Sequence, residues 1–294
     1  AANLMMQADL EGAKTMLQAS LNTGGEIGNR AGVVQALENL GTLDYYHGNL
    51  FEAKQNLAAA VTQSRELGLK SETVSILAAM GDLMLAQGDL AAAETSYRES
   101  LTISDQLGEK GSVAVAKRSL ANLALENNQT SIAETLAREA VQEFQSEKDA
   151  DNETAARDIL GQALVAQGKL KQAQMEIDTA HKLSSPNFLT TLGLGITTAR
   201  LQARSGKPRE ALQGLKTILR HAQEMGLRTL EFEARLARIE IDPLTGDSAS
   251  TCTELSTLQK EATRLGFQHI AEKAVQMGKL GSLSASNCGA QANP

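Results

Sequence analysis

The chain has 294 residues and a formal net charge of -7, with 28 Lys and Arg set against 35 Asp and Glu along its length. That interspersed acidic balance weighs against a nucleic-acid or anionic-membrane surface, and no apolar run approaches the length of a membrane span. Ala (44) and Leu (41) dominate while Phe, Tyr and Trp number 5, 3 and 0, which predicts an all-α fold and excludes an all-β one, because strands draw on the β-branched and aromatic residues scarce here.

In chain order, residues 1–27 read as the end of one helix, a turn at 8–10 and a complete second helix. The start lacks Met and the basic and apolar regions of a signal peptide, so a piece of a longer, soluble, cytoplasmic protein is expected. The sequence then repeats every 40 residues: Gly48-Asn49-Leu50 with Ala53, Gly88-Asp89-Leu90 with Ala93, a degenerate Asn128-Gln129-Thr130 with Ala133, and Gly168-Lys169-Leu170 with Ala173. A 38-residue step brings Gly206-Lys207-Pro208 with Ala211, while Ala8-Asp9-Leu10 and Gly246-Asp247 keep the phase at either end. A second station recurs at Gly28, Gly68, Gly108, Gly226 and Gly266.

Two stations per period imply two turns per period. Between them the apolar residues follow helical spacing, as in Ala53, Leu57, Ala60 and Val61 or Ala133, Ala137, Ala140 and Val141, so each unit is a helical hairpin. Hairpins are predicted at 30–67, 70–107, 110–147, 150–184, 188–226 and 228–270, after a partial unit at 1–27. Together they make a solenoid over 1–275, with a kink at 184–187 and a flexible tail at 276–294. A small residue stands seven positions before each loop, at Gly41, Gly81, Ala121, Gly161 and Ala199, where it lets the second helix approach closely.

These residues resemble the tetratricopeptide repeat. Leu40, Gly41, Ala53, Leu57 and Ala60 fit its pattern, as do Met80, Gly81, Ala93, Tyr97 and Ser100, and Leu160, Gly161, Ala173, Ile177 and Ala180. The departures are the longer period, the absence of Trp and the lack of a regular Pro at the repeat end. The resemblance implies an α-α superhelix of about six hairpins that binds proteins without catalysis. The later copies are similar to C-terminal repeat regions of bacterial signalling proteins, namely serine/threonine kinases and winged-helix regulators.

Catalytic or metal chemistry is not expected. His47, His181, His221 and His269 fall in separate repeats with no ligand spacing. Cys252 and Cys288 are read as two reduced thiols, with a 252–288 disulfide as the alternative. Gly193-Leu194-Gly195 lacks the Lys and Ser/Thr of a phosphate loop and is read as a packing contact inside a helix. No cofactor is implied.

What remains is surface. In tetratricopeptide proteins the first helix of each hairpin lines the groove, and the resemblance carries that role to Glu38, Thr42, Tyr45, Tyr46, Asp82, Leu85, Arg118, Asn122, Asp158, Gln162, Arg200 and Arg204. Tyr45 and Tyr46 are read either as exposed anchors or as hairpin packing. Arg200 and Arg204 are read either as a fork for an acidic peptide or as a solvated basic face. Only Arg118 and Asn122 resemble the clamp that chaperone cofactors use for a terminal carboxylate, which would need Lys and Asn on three consecutive helices, so binding of that tail class is not expected. The expected partner is a protein or peptide, not nucleic acid, and self-assembly into a homo-oligomer is the alternative.

Overall fold

The computed structural model describes residues 10–183, 185, 187–245 and 249–279, and those residues form fourteen α-helices, one short 3-10 turn and no strand. In order these are α1 (Leu10–Glu26), α2 (Arg30–His47), α3 (Leu50–Glu66), α4 (Lys70–Ala86), α5 (Leu90–Leu107), α6 (Lys110–Glu126) and α7 (Thr130–Glu147). Next come α8 (Ala150–Ala166), α9 (Leu170–Lys182), α10 (Phe188–Arg204), α11 (Pro208–Glu224), α12 (Arg228–Ile241), the 3-10 turn Asp242–Thr245, α13 (Ala249–Leu265) and α14 (Gln268–Lys279). Helix α14 carries regular structure beyond the sixth hairpin's expected end at 270 and past residue 275. The stretch 1–9, most of the tail and Gly246-Asp247 lie outside the described residues.

Both turn stations are left-handed. Gly48 and Gly88 close the first helices of their hairpins at φ +82, and in the degenerate copies Asn128 and Lys148 hold φ 57 and 59 without being Gly. Side chains start several helices: Asn29 accepts from the Gly32 amide, Asp89 from Ala92 and Asp149 from Asn152, while Asn187 caps α10 after the altered turn.

The Ala station forms the hairpin joint. Ala13, Ala53, Ala93, Ala133, Ala173 and Ala211 have no exposed surface. Opposite, a methyl group added at Gly41 would come within 2.6 Å of the Leu57 side chain, and at Gly161 within 3.0 Å of Ile177. The helices therefore approach too closely for a larger side chain at these stations. Gly195, within α10, packs in the same way against Ile218, which supports the packing reading of Gly193-Leu194-Gly195.

The even-numbered helices α2 to α12 each touch the next even-numbered helix, whereas the odd-numbered helices lack comparable contacts with one another. The even set is therefore the inner layer and the odd set is splayed around the outside. The winding is tight: α12 returns to touch α2, and α14 touches α4, so five hairpins complete one superhelical turn and the sixth stacks on the first. One core cluster accordingly joins Leu37, Leu50 and Ile76 to Phe232, Phe267 and Ile270.

Two ion-pair networks lie between paired helices. Arg157 binds Glu153 at 2.9 Å and also Glu176, with Arg157 and Glu153 both buried. Arg235 pairs with Glu254 at 2.6 Å and with Glu261, beside buried Glu231. Cys252 is disulfide-bonded rather than a free thiol, which corrects the reduced reading at that position; Cys288 lies outside the described residues. Among the described residues no helix is long and apolar enough to cross a membrane.

Candidate functional site: the axial channel

Five inner helices spaced about 9 Å apart around a ring leave an axis only a few Å wide once their side chains are added. The concave face is thus a channel lined from all sides rather than an open cradle. Glu38, Thr42, Tyr45 and Tyr46 of α2, Asp82 of α4, Arg118 and Asn122 of α6, Asp158 and Gln162 of α8 and Arg200 of α10 are all half-buried. Two expected groove residues fall elsewhere. Leu85 is buried in the core, and Arg204 is exposed at the end of α10.

The tyrosines are not exposed anchors. Tyr45 and Tyr46 stand edge to face with ring centroids 5.2 Å apart, and the Tyr45 carbonyl accepts a 3.0 Å hydrogen bond from Thr229 of α12. Burial pushes the Tyr46 phenol up to about 12, with Asp82 adding to the rise and Arg118 opposing it. Tyr45 is pushed up further by burial, then by Asp82, Tyr46 and Glu233. The charges of α4 and α12 reach the same phenol because the channel is narrow.

The arginine fork also fails, for a reason that lies in α12. Arg200 Nε donates to Glu240 at 2.9 Å, and its guanidinium stands 3.8 Å from Glu233. Burial would lower its pKa, but Glu240 and Glu233 raise it overall, so the cation is already held. Arg118 differs. Among the described residues it makes no hydrogen bond or ion pair, and its charge acts at longer range on Asp82 and Tyr46.

The carboxylates show the cost of depth. Burial raises the Glu38 carboxyl, against hydrogen bonds from Ser75 and Gln35. Burial likewise raises Asp82, although the Tyr97 hydroxyl donates to it at 2.6 Å. Asp158 is raised to about 6, mainly by burial and further by Glu233, against the nearby Thr197 hydroxyl, the Gln162 amide and the charge of Arg200. Gln162 Nε2 donates to Asp158 Oδ2 at 3.3 Å, while Oδ1 has no hydrogen-bond partner among the described residues.

Because the folded pKa of Asp158 exceeds the ordinary value of 3.8, its charge opposes folding, and stability is lost as pH rises through the interval from 3.8 to about 6. The full rise corresponds to at most about 3 kcal/mol, less what solvent in the channel screens. Asp158→Asn is therefore expected to raise stability at pH 8 and to leave it nearly unchanged at pH 4. Urea titrations at the two pH values measure this, and an equal effect at both would contradict it.

Sequence reasoning missed the residues that α12 and α14 bring to the channel: Glu233, Glu240, His269 and Lys273, together with Glu126 at the end of α6. Glu126 Oε2 lies 2.6 Å from His269 Nε2 and 2.5 Å from Lys273 Nζ. Burial alone would raise this carboxyl, yet the His269 and Lys273 contacts outweigh it and hold the value near about 2. No local motif signals these neighbours, since only the winding number brings them within reach. Among the described residues no group of His, Cys, Asp and Glu is arranged to hold a metal ion.

A family model described as the MalT-like TPR region matches residues 30–277, which spans every hairpin from α2 to α14. The chain belongs to that family. No curated protein matches it. Solved structures share the fold of this MalT-like TPR region at low identity. BtubC (BKLC) from P. vanneervenii is 17% identical with a TM-score of 0.54, over 74% of this chain and 90% of that one. A Rap protein complexed with Competence and Sporulation Factor is 13% identical with a TM-score of 0.58, over 83% and 76%. The Rap conjugation gene regulator of plasmid pLS20, in complex with the Phr* peptide, is 10% identical with a TM-score of 0.59, over 85% and 75%. At these identities the likeness concerns the fold alone.

Proposed function

We propose that this MalT-like TPR region is a non-catalytic protein-interaction scaffold, the C-terminal module of a bacterial signalling or regulatory protein, that takes a peptide segment on the inner face of its superhelix. The observation that carries this reading is Arg118, a half-buried inner-face guanidinium with no ion pair among the described residues. Asp82 offers it only a longer-range counter-charge, which leaves its hydrogen-bond donors open to a ligand carboxylate. Arg118 and Asn122, one turn apart on α6, can hold a peptide carboxylate by charge-assisted hydrogen bonds. Arg200 cannot serve in this way while Glu240 and Glu233 occupy it. Two Rap proteins of the same fold were solved in complex with Competence and Sporulation Factor and with the Phr* peptide, which supports a peptide in preference to a folded domain.

A phage-displayed library of random peptides panned on the protein tests the reading. Enriched peptides are expected to carry a carboxylate and to bind Arg118→Ala at least about tenfold more weakly, the loss typical of a central anchor. Failure to enrich any sequence, or equal binding by the variant, would overturn it.

A further inference from the structure

Arg118 and Asp158 occupy the same register, 40 residues apart, on α6 and α8, two inner helices in contact. Although they stand side by side, they do not neutralise one another. Arg118 acts on Asp82, Tyr46 and Tyr97, whereas the charges that reach Asp158 are those of Arg200 on α10 and Glu233 on α12. Glu233 repels it, and Arg200 is held by both oxygens of Glu240, at 2.9 and 3.3 Å. Asp158 therefore has no ion pair among the described residues.

The groups around this carboxylate are acceptors short of donors. Thr197 of α10 is 1% exposed, and its hydroxyl lies near enough to act on the Asp158 carboxyl yet has no hydrogen-bond partner among the described residues. Asp158 Oδ1 is also without one. Gln162 directs its amide nitrogen to Oδ2, which leaves its own carbonyl oxygen unused among the described residues. Beside them α10 presents Gly193, where an added methyl group would meet only Asp158 Oδ2, at 3.6 Å. One added at Gly195 would instead come within 2.8 Å of Ile218, so α10 packs tightly on that side and leaves room on this one. Asp158 itself is half-buried, and rotation of its carboxylate exchanges the two oxygens.

We propose that Asp158, Thr197 and Gln162 form a subsite for a primary ammonium of the ligand, beside the carboxylate subsite at Arg118 and Asn122. An ammonium is compact, carries the missing charge and has three donors for the three acceptors. A guanidinium suits the site less, because its planar fork takes both oxygens of a carboxylate and Oδ2 already holds Gln162. The inference rests on the peptide reading above and sharpens it: the ligand bears both charges. Neighbouring helices stand about 8–10 Å apart and an extended peptide advances about 3.3 Å per residue, so its acid and its ammonium lie within about three residues. A lysine side chain or a free N-terminus supplies the same chemistry.

One arm of the test needs no peptide. n-Butylammonium and tetramethylammonium, at equal ionic strength, are titrated against the whole chain carrying carboxyl-labelled Asp, read by NMR. n-Butylammonium is expected to lower the Asp158 pKa by about 1 unit, and tetramethylammonium, equally charged but without N–H, to leave it in place. Gly193→Leu, which fills the space and keeps the carboxylate, should abolish the response. Equal shifts with both ions, or none with either, would overturn the subsite whether or not a peptide binds. In the second arm, synthetic peptides selected on the parent protein are tested with the N-terminus acetylated or with Lys replaced by norleucine. One of the two changes, which identifies the source of the ammonium, should weaken binding at least about tenfold to the parent and leave binding to Asp158→Asn unaltered. Peptides that depend on Arg118 but tolerate both changes would sink the ammonium subsite while sparing the peptide reading.

Discussion

Replacing Arg157 by Met is expected to destabilise the protein by about 3–5 kcal/mol, because it leaves the buried Glu153 carboxylate without a cation. Arg157 and Glu153 are each 8% exposed at the side chain, and Glu153 has no other ion pair among the described residues. Glu176 is better placed, since it retains Arg138 at 3.9 Å and is 20% exposed. The double variant Glu153→Gln/Arg157→Met should recover most of the loss, as removing both charges also removes the uncompensated burial. The equivalent change two repeats later gives an internal comparison. In Arg235→Met, Glu231 keeps Arg228 at 2.6 Å and Glu254 keeps Arg238 at 3.1 Å, so about half the loss is expected. Urea denaturation midpoints of the three variants measure the series. Equal losses for Arg157→Met and Arg235→Met would show that buried charge is not the cause.

The second large effect is steric. Gly81→Ala places a methyl group on the ring of Tyr97, which is fully buried and donates its hydroxyl to Asp82 at 2.6 Å. The ring cannot retreat without breaking that bond to a carboxylate, so overpacking and a lost charge-assisted hydrogen bond add, to about 3–4 kcal/mol. Gly161→Ala meets the flexible end of Ile177 at 3.0 Å instead. Its helix-propensity gain of about 1 kcal/mol offsets the crowding, and it should be near neutral. The third hairpin already holds Ala121 and Ala137 at the equivalent positions, both without exposed surface. Gly81→Ala/Tyr97→Ala should accordingly cost less than the sum of its parts. Additive losses in this cycle would show that the methyl group and the ring do not compete for the same space.

How much of this was legible in the sequence differs between fold and site. The turns were legible because a left-handed residue and a buried Ala recur at fixed spacing, and local backbone sterics demand them wherever the hairpin is used. The missing side chains at Gly41, Gly81 and Gly161 were legible for the same reason, since each close approach lies within one hairpin. Even the degenerate stations at Asn128 and Lys148 kept their backbone conformation. The site was only half legible. The positions of Arg118, Asp158 and Arg200 on inner helices follow from the family resemblance, but their chemical state does not. The sequence left Tyr45 and Tyr46 open between anchor and packing, and Arg200 open between peptide fork and basic face, until α12 supplied Thr229 beside Tyr45 and Glu240 beside Arg200.

The sequence by itself determined the hairpin, its length and its two turns, because those depend on contacts fewer than about 40 residues apart and repeat in every copy, while the family resemblance implied which helix of each pair faces inward. Only the tertiary structure decided how tightly the hairpins wind. That is set by small rotations at each joint, from the volumes of Ala, Leu and Tyr packed between neighbours, and the rotations accumulate over five units before the chain meets itself. From that meeting come the narrow inner space, the further rise of Asp158 from Glu233, the paired Arg200 and the seam at Gly48, Gly88 and Glu126.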